Sequence, residues 1–199
     1  MDKKTRLAHL NQDCAAYFDE LYAPDKKVYV FGDGDASARV VLVGEAPGEQ
    51  ETLLGKPFVG RAGRNLDGFL QATGLRRADL YITNVVKFRP VRLSEKGRAS
   101  NRPPTREEVA LFLPWLKKEL AIVEPQVVVT LGNVPLRALT EKTATIGKAH
   151  GTQLTGVLYE GPVFALYHPA SVVYNPALRT VYEQDLCQLA QALHLMQLM

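Results

Sequence analysis

Four short apolar runs, separated by segments of helical character, constrain the fold of this chain most strongly. The runs are rich in β-branched residues and apolar almost throughout, so both faces of each predicted strand must be buried. They cover residues 39–43, 80–86, 126–131 and 163–167. Strands of this kind form parallel sheets that helices cover on both sides. The sequence therefore predicts a three-layer α/β/α fold with a central, mainly parallel four-stranded sheet, in a single domain spanning the chain.

The segments between the strands carry helix signals. Thr105 and Glu108 have the spacing of a capping box, which predicts a helix from there to about Val123. Gly74 is expected to end a helix over residues 63–73. Further helices are predicted at residues 7–21, after Gly132-Asn133 and at residues 178–199, and a short strand at residues 28–31 followed by a turn at residues 32–34.

The composition limits the classes of protein to which the chain can belong. The chain has 199 residues, of which 46% are hydrophobic and 23% charged, as in ordinary globular proteins. No apolar run approaches the roughly 18–20 residues of a membrane-spanning helix, and the N-terminus lacks the apolar core of a signal peptide. Cys14 and Cys187 are too few for a disulfide framework. We expect a cytoplasmic protein without membrane association. A monomer is expected as well, although no sequence feature reports on the oligomeric state.

The loop after the first long strand, residues 43–63, holds five glycines, two prolines and three glutamates. It lies where parallel sheets bind ligands, beyond the carboxyl end of a strand. Neither nucleotide-binding spacing is present: six residues separate Gly48 from Gly55, Pro57 follows Lys56, and the dinucleotide fingerprint is missing. Three glutamates would also repel a pyrophosphate. The loop is therefore expected to bind something other than nucleotide phosphates.

Other polar residues stand at the ends of predicted strands, and each has an ordinary structural explanation when taken singly. Asn84 could be a strand-end cap, His168 a structural hydrogen-bonding residue, Phe58 a core residue and Glu45 a solvated acid. The basic segment at residues 87–106, with seven basic side chains and one acidic one, fits either a solvated mobile loop or a phosphate-binding surface. The net charge of +3 does not decide between them.

Six motifs in order narrow these alternatives. They read G-E-A-P-G-x-x-E, G-K-P-F-V-G-R-A-G, Y-I-T-N-V-V-K-x-R-P, N-R-P-P-T, L-G-N and Y-H-P-A. This ordered set resembles the uracil-DNA glycosylase superfamily, and most closely its family 4, the bacterial and archaeal iron–sulfur type. The resemblance implies a DNA repair enzyme that flips uracil out of DNA and hydrolyses its N-glycosidic bond, leaving an abasic site.

The resemblance also implies roles for residues of the pocket. Glu45, followed by Ala46, falls on the first motif, which lines the uracil pocket and helps to hold the attacking water. Glu51 matches the carboxylate near C5 of the base. Two catalytic residues, Glu45 and His168, are expected, and the resemblance places His168 against O2 of uracil. No metal ion and no covalent nucleophile is required.

The chemistry of the remaining pocket residues fits these roles. A base removed from the duplex loses its stacking, and the ring of Phe58 would replace part of it. The amide of Asn84 can donate to O4 of uracil and accept from N3–H. Cytosine presents the opposite pattern at both positions, so Asn84 would discriminate against it. A hydrogen bond from His168 to O2 would stabilise the negative charge on the departing base.

The expected partner is uracil-containing DNA. Residues matched to DNA contacts are Lys87, Arg89, Arg102, Ser171 and Tyr174, with Arg92 and Arg98 as further candidates for phosphate binding. The segment 171–175 would reach the minor groove and fill the gap that the flipped base leaves. Tyr174 stands where the family often has arginine, which leaves the details of this insertion open.

The chain departs from family 4 at the iron–sulfur cluster. The family binds this cluster through four cysteines, whereas here Cys14 is followed at the matching positions by Tyr17, Phe88 and Phe112. A cluster of this kind requires thiolate ligands. We therefore expect no cofactor, and we expect the three aromatic side chains to fill its volume.

Two other functions remain compatible with the motifs. The chain could bind uracil-DNA without catalysis or attach covalently to abasic DNA, although the basic insertion of the covalent relatives is missing. A scaffold protein that retained only the fold fits poorly with an intact pocket. The sequence leaves open the preference among U·G, U·A and single-stranded substrates, activity on hypoxanthine or xanthine, and which carboxylate positions the water.

Overall fold

A computed structural model gives the fold of the chain; it describes residues 1–60, 63, 66, 68, 70, 71 and 73–198. Helices cover Lys3–Leu21 (α1), Glu49–Leu54 (α2), Arg106–Val123 (α3), Asn133–Leu139 (α4), Ile146–Ala149 (α5), Pro169–Tyr174 (α6) and Arg179–Leu195 (α7). Strands cover Asp33–Gly34 (β1), Val40–Gly44 (β2), Leu80–Asn84 (β3), Val91–Leu93 (β4), Ala99–Asn101 (β5), Val127–Leu131 (β6), Gln153–Thr155 (β7) and Pro162–Leu166 (β8). Short 3-10 turns lie at Arg77–Asp79 and Pro176–Leu178.

One six-stranded sheet has the strand order β1-β3-β2-β6-β8-β7. The four inner strands run parallel, and β1 and β7 pair antiparallel at the two edges. The four predicted parallel strands are thus confirmed, and two short edge strands that the sequence did not reveal extend them. The inner strands end at Gly44, Asn84, Leu131 and Leu166. Because they are parallel, these ends lie along one edge of the sheet and place their loops together.

The alternation of side chains along β2 shows why its sequence is apolar throughout. Val41 and Val43 pack into a core with residues of α1 and α3, whereas Val40 and Leu42 pack into a second core with residues of α7. All five residues of β2 are buried. The sheet therefore lies between two helical layers, as the sequence predicted.

The predicted strand at residues 28–31 and the predicted turn at residues 32–34 are both wrong. The segment makes an isolated bridge at Tyr29 instead of a ladder. Asp33 and Gly34 form the edge strand, because they reach the side of β3. Such a pairing depends on a partner distant in the sequence, which local patterns do not report.

Helix boundaries follow from their caps. The predicted capping box is confirmed: the Glu108 N–H donates to Thr105 Oγ1 (3.2 Å), and the Thr105 N–H donates to Glu108 Oε2 (2.7 Å). The first helix begins earlier than predicted, because Asp2 Oδ1 accepts a hydrogen bond from the Thr5 N–H (2.7 Å) and caps it.

Two further predicted helices were placed less well. The helix expected at residues 63–73 falls largely outside the described residues; those described there are helical, and Gly74 follows with φ of 70°. The last helix, α7, ends at Leu195, before the predicted end at Met199, which also lies outside the described residues. No helix in the described part of the chain is long and apolar enough to cross a bilayer.

Candidate active site

A cleft of about 470 Å³ opens at the carboxyl edge of the sheet. Its volume is that of a small-molecule site. The loop after β2, the end of β3 and the turn after β8 form its walls. All six residues that the sequence assigned to the uracil pocket line it, namely Glu45, Ala46, Glu51, Phe58, Asn84 and His168. The structure thus brings together residues that four different motifs contribute.

Gly44 allows two of these side chains to meet. It pairs in register with Asn84 across the parallel strands β2 and β3. A Cβ atom on Gly44 would lie 2.4 Å from the Asn84 Oδ1 and 2.5 Å from the Phe58 Cζ, both shorter than van der Waals contact. Only glycine leaves room at this position for the amide and the ring together. The first motif contains this glycine, but its function could not be recognised from the motif alone.

Phe58 has an unusual backbone conformation. Its φ of 53° lies in the left-handed region, which is rare for residues with a large side chain. The guanidinium of Arg77 donates to the carbonyl oxygens of Pro57 (2.7 Å) and Phe58 (3.1 Å) and holds this turn. The ring itself is buried. Arg77 lies outside every motif, so only the structure shows its contribution.

Glu51 ties the two sides of the pocket loop together. Its Oε2 accepts a hydrogen bond from the Gly48 N–H (3.1 Å), and its Oε1 accepts from the N–H groups of Val59 (3.1 Å) and Gly60 (2.7 Å). The side chain also borders the cleft, where the sequence placed it. Its hydrogen bonds show that it fixes the turn that carries Phe58.

His168 lines the cleft. It is the N-cap of α6, and its Nδ1 accepts a hydrogen bond from the Ala170 N–H (3.1 Å). The proton of the neutral ring must then be on Nε2, which makes that atom a donor. Burial lowers the pKa of His168, while the nearby Glu51 opposes this shift, and the net effect favours the neutral ring. His168 therefore offers a neutral N–H donor.

Glu45 follows β2 directly and is half-buried. Burial raises the pKa of its carboxyl above the ordinary value. Among the described residues, no hydrogen bond to its carboxylate is formed, in contrast to Glu51. Its oxygens therefore remain available for water or substrate.

The predicted DNA contacts are distributed around the rim. Arg102 borders the cleft and pairs with Glu108 through two hydrogen bonds (2.7 and 2.6 Å). Arg89 donates to Asn101 Oδ1 (2.7 Å) and to the exposed Glu49 (3.1 Å). Both guanidinium groups are thus held in place by neighbours. On the other side of the cleft lies α6, with Ser171 and the highly exposed Tyr174, which borders the cleft.

The prediction that Lys87 contacts DNA is wrong. Its side chain is 3% exposed, and its ammonium group lies 2.6 Å from Glu119 Oε2. It also donates to Thr83 Oγ1 (2.6 Å) and to the backbone carbonyl of Asn84 (2.7 Å). All three donors are used inside the protein, so none can reach a phosphate.

The basic segment forms an exposed hairpin that the sequence did not predict. Strands β4 and β5 pair antiparallel, and residues 91–100 are all exposed. Arg92 donates to Ser100 Oγ (3.1 Å). Within the described part of the chain, no acidic group pairs with Lys96 or Arg98. The foot of the hairpin, at Asn101, borders the cleft, so the hairpin extends a basic surface away from it.

Aromatic rings pack together around Phe88 and Phe112, two of the positions matched to the cluster cysteines in the sequence analysis. The rings of Phe18 and Phe112 stack with centroids 3.9 Å apart, and Phe88 lies 5.8 Å from Phe112. Tyr22 adds an edge contact to Phe88. Burial of Phe88 and Phe112 agrees with the prediction, but Tyr17 does not, because it is 46% exposed. Phe18, its neighbour in α1, is fully buried instead.

The residues present here do not fit a four-thiolate cluster. Cys14 is the one thiol in this region, and Cys187 is exposed on α7. Burial raises the pKa of the Cys14 thiol to about 12, which keeps it protonated. A metal ligand must be a thiolate. The site thus holds packed rings in place of ligands.

Comparison with known proteins decides the family. The family model "Uracil DNA glycosylase superfamily" matches residues 31–190. The chain belongs to this superfamily. The matched range contains the cleft, its rim and the hairpin.

Named relatives in the superfamily are similar to the chain over most of their length. The chain is 41% identical to the Type-4 uracil-DNA glycosylase of Archaeoglobus fulgidus, over 80% of this chain and 79% of the relative. It is 37% identical to the corresponding enzyme of Saccharolobus solfataricus, over 84% of this chain and 77% of the relative. The crystal structure of Pedobacter heparinus SMUG2 has the same fold, with a TM-score of 0.55 at 14% identity, covering 97% of this chain and 84% of that one.

Proposed function

We propose that this protein is a monofunctional uracil-DNA glycosylase, which hydrolyses the N-glycosidic bond of uracil in DNA and leaves an abasic site. The observation that carries the proposal is the convergence of Asn84, Phe58 and His168 on one cleft. This arrangement occurs in a chain that is 37–41% identical to Type-4 uracil-DNA glycosylases. The enzyme acts in DNA repair.

Base selection depends on Asn84. A flipped uracil in the cleft would stack on Phe58 and place its O4 and N3–H against the Asn84 amide. The amide donates to the first and accepts from the second. Cytosine would place its N4 amino group, a donor, against the amide N–H donor, and its N3, an acceptor, against the amide oxygen. These buried polar groups would then be left unpaired. Because Asn84 is only 3% exposed, water has little access to relieve this mismatch.

Bond cleavage depends on His168 and Glu45. The bond between N1 and C1′ breaks with its electron pair on the base, and the negative charge spreads to O2 and O4. The Nε2–H of His168 donates to O2 and stabilises this charge. Water then attacks C1′, with its proton directed to the free carboxylate of Glu45. A raised carboxyl pKa makes Glu45 a better proton acceptor than an exposed glutamate.

DNA binding is assigned to the rim of the cleft. Arg89 and Arg102 would contact phosphates near the flipped nucleotide, and the hairpin would contact them further along the strand. Ser171 and Tyr174 would face the duplex, and the exposed ring of Tyr174 would occupy the gap in the stack. We further propose that the protein acts as a monomer in the cytoplasm.

The experiment is a turnover assay on labelled oligonucleotides. Duplexes with one uracil, paired with guanine or adenine, are compared with the same duplex carrying thymine, and alkali-labile sites and free uracil are counted. The proposal expects more than one uracil released per protein molecule, from the uracil duplexes only. If the protein binds the uracil duplex but releases no uracil, it is a binding protein and not an enzyme. A protein–DNA complex that survives denaturation would instead support covalent attachment to the abasic site.

A further inference from the structure

A buried polar network lies directly behind Asn84. The ammonium of Lys87 and the carboxylate of Glu119 lie 2.6 Å apart, with side chains 3% and 2% exposed. Glu119 Oε1 also accepts from the Tyr81 hydroxyl (2.8 Å) and from Thr83 Oγ1 (3.1 Å). Burial, with Glu119 nearby, raises the pKa of Tyr81 well above its ordinary value, so its hydroxyl stays a donor. Every charged group in the network thus has partners.

The network reaches Asn84 through the backbone. Lys87 Nζ donates to the carbonyl oxygen of Asn84 at 2.7 Å. On the opposite side, the N–H groups of Val85 and Val86 donate to the carbonyl oxygens of Gly44 (2.9 Å) and Glu45 (3.1 Å). The end of β3 is therefore held from both directions. Asn84 is only 3% exposed, so its side chain has little freedom once its backbone is fixed.

Stability alone does not account for this arrangement. Removing two charges from water is costly, and replacing a buried ion pair by apolar residues of similar size is often neutral or stabilising. What the buried network provides is a single position for the Asn84 carbonyl, and thereby for the amide in the cleft.

We propose that Lys87 and Glu119 are positioning residues that hold Asn84 in the orientation that distinguishes uracil from cytosine. The inference rests on the proposed function, because it names what sets the specificity of that same site. Neither residue touches the base. Both act through Asn84, and this dependence can be measured.

The test is a double-mutant cycle in the 199-residue chain. The pair variant Lys87→Met/Glu119→Met removes both charges at similar volume, so no charge is left unpaired. Its kcat/KM for uracil release should fall by about 100-fold, the effect of displacing a catalytic-site group by about 1 Å. The same pair change in an Asn84→Ala background should have almost no further effect, because the residue through which it acts is gone.

The matched control is Lys3→Met/Glu124→Met. Lys3 likewise pairs with a glutamate (2.8 Å) and donates to a backbone carbonyl, that of Val123 (2.7 Å), but it lies away from the cleft. This control should keep full activity. If the Lys87/Glu119 variant does not fold, Thr83→Val replaces it, since it removes the bridging hydroxyl of the network and keeps the side-chain shape. A smaller loss is then expected, again absent in the Asn84→Ala background.

Each outcome tests either the positioning role of Lys87 and Glu119 or the proposed function. A folded pair variant with unchanged activity, or a loss of equal size in the presence and absence of the Asn84 amide, would overturn the positioning role. A wild-type protein that releases no uracil would refute the proposed function instead, and the two failures are distinguishable because wild type and control are assayed side by side.

Discussion

Gly44 and Asn84 are register partners at the ends of β2 and β3, and a methyl group on Gly44 would lie 2.4 Å from the Asn84 amide oxygen. Gly44→Ala must therefore displace Asn84, Phe58 or both. We expect a loss of uracil excision of about 100-fold or more, since small displacements of substrate-positioning groups have effects of this size. The measurement is single-turnover uracil release.

The control for this change is Gly147→Ala. Gly147 lies in α5, and a Cβ atom there would meet no atom within 4 Å. Alanine also favours the helix. Activity of Gly147→Ala should equal that of the wild type. Wild-type activity in Gly44→Ala as well would show that Asn84 and Phe58 can be displaced without loss of function.

His168→Ala removes the neutral Nε2–H donor at the leaving base. The rate of the chemical step should fall by about 100- to 1,000-fold, the usual effect of losing one such donor. Binding of uracil-containing DNA should change much less, because the interaction strengthens as charge develops in the transition state. Single-turnover rates and a separate binding titration distinguish the two, and an unchanged rate would exclude His168 from the chemistry.

Glu45 should give the activity a dependence on pH. Its carboxyl must be ionised to take a proton from water, so the rate should rise with pH through its pKa. Since burial raises that pKa, the rise should occur at higher pH than for an exposed glutamate. His168 adds no step in the neutral range, because its lowered pKa keeps it neutral there. The Glu45→Gln variant should have a low rate that does not increase with pH in this way. If its rate still increases with pH, another group must be responsible for the pH dependence.

Phe112 should contribute to stability as a core residue. Its ring is fully buried and stacks on Phe18 at 3.9 Å. Phe112→Ala should lower the free energy of unfolding by about 3–5 kcal/mol, measured by denaturant titration. Tyr17→Ala, at a half-exposed neighbouring position, is the control and should cost about 1 kcal/mol or less. If Phe112→Ala lowers the free energy of unfolding no more than Tyr17→Ala does, the rings do not form a packed core.

The residues that line the cleft were easier to predict from the sequence than the residues that hold them in place. Motif residues at strand ends identified the cleft because parallel strands bring their carboxyl ends together. Lys87 was misassigned, because its partner Glu119 is 32 positions away and a charged residue in a basic segment looks like a surface residue. Only the packing of α3 against the sheet shows that the two charges meet in the interior.

The replacement of the cluster cysteines was predicted in outline but not in detail. Tyr17 occupies the matching position in α1, yet Phe18 provides the buried ring. Successive helical residues point about 100° apart, so a change of one position moves a side chain from the core to the surface. The β4–β5 hairpin was missed for another reason, since each of its strands has only three residues and is exposed throughout.

Asn84→Asp tests the central claim, that the Asn84 amide selects uracil. The carboxylate would face O4 of uracil, another acceptor, at a position that is only 3% exposed. Uracil release should fall by at least about 100-fold, since a buried unmatched polar contact costs about 1–3 kcal/mol and more when charged. The same carboxylate could accept from the N4 amino group of cytosine, and cytosine release should increase as pH falls and the acid becomes able to donate to N3. The decisive measurement is the release of uracil and cytosine by Asn84→Asp across a pH series. A steep loss of uracil release is the predicted result, and wild-type uracil release would contradict the account.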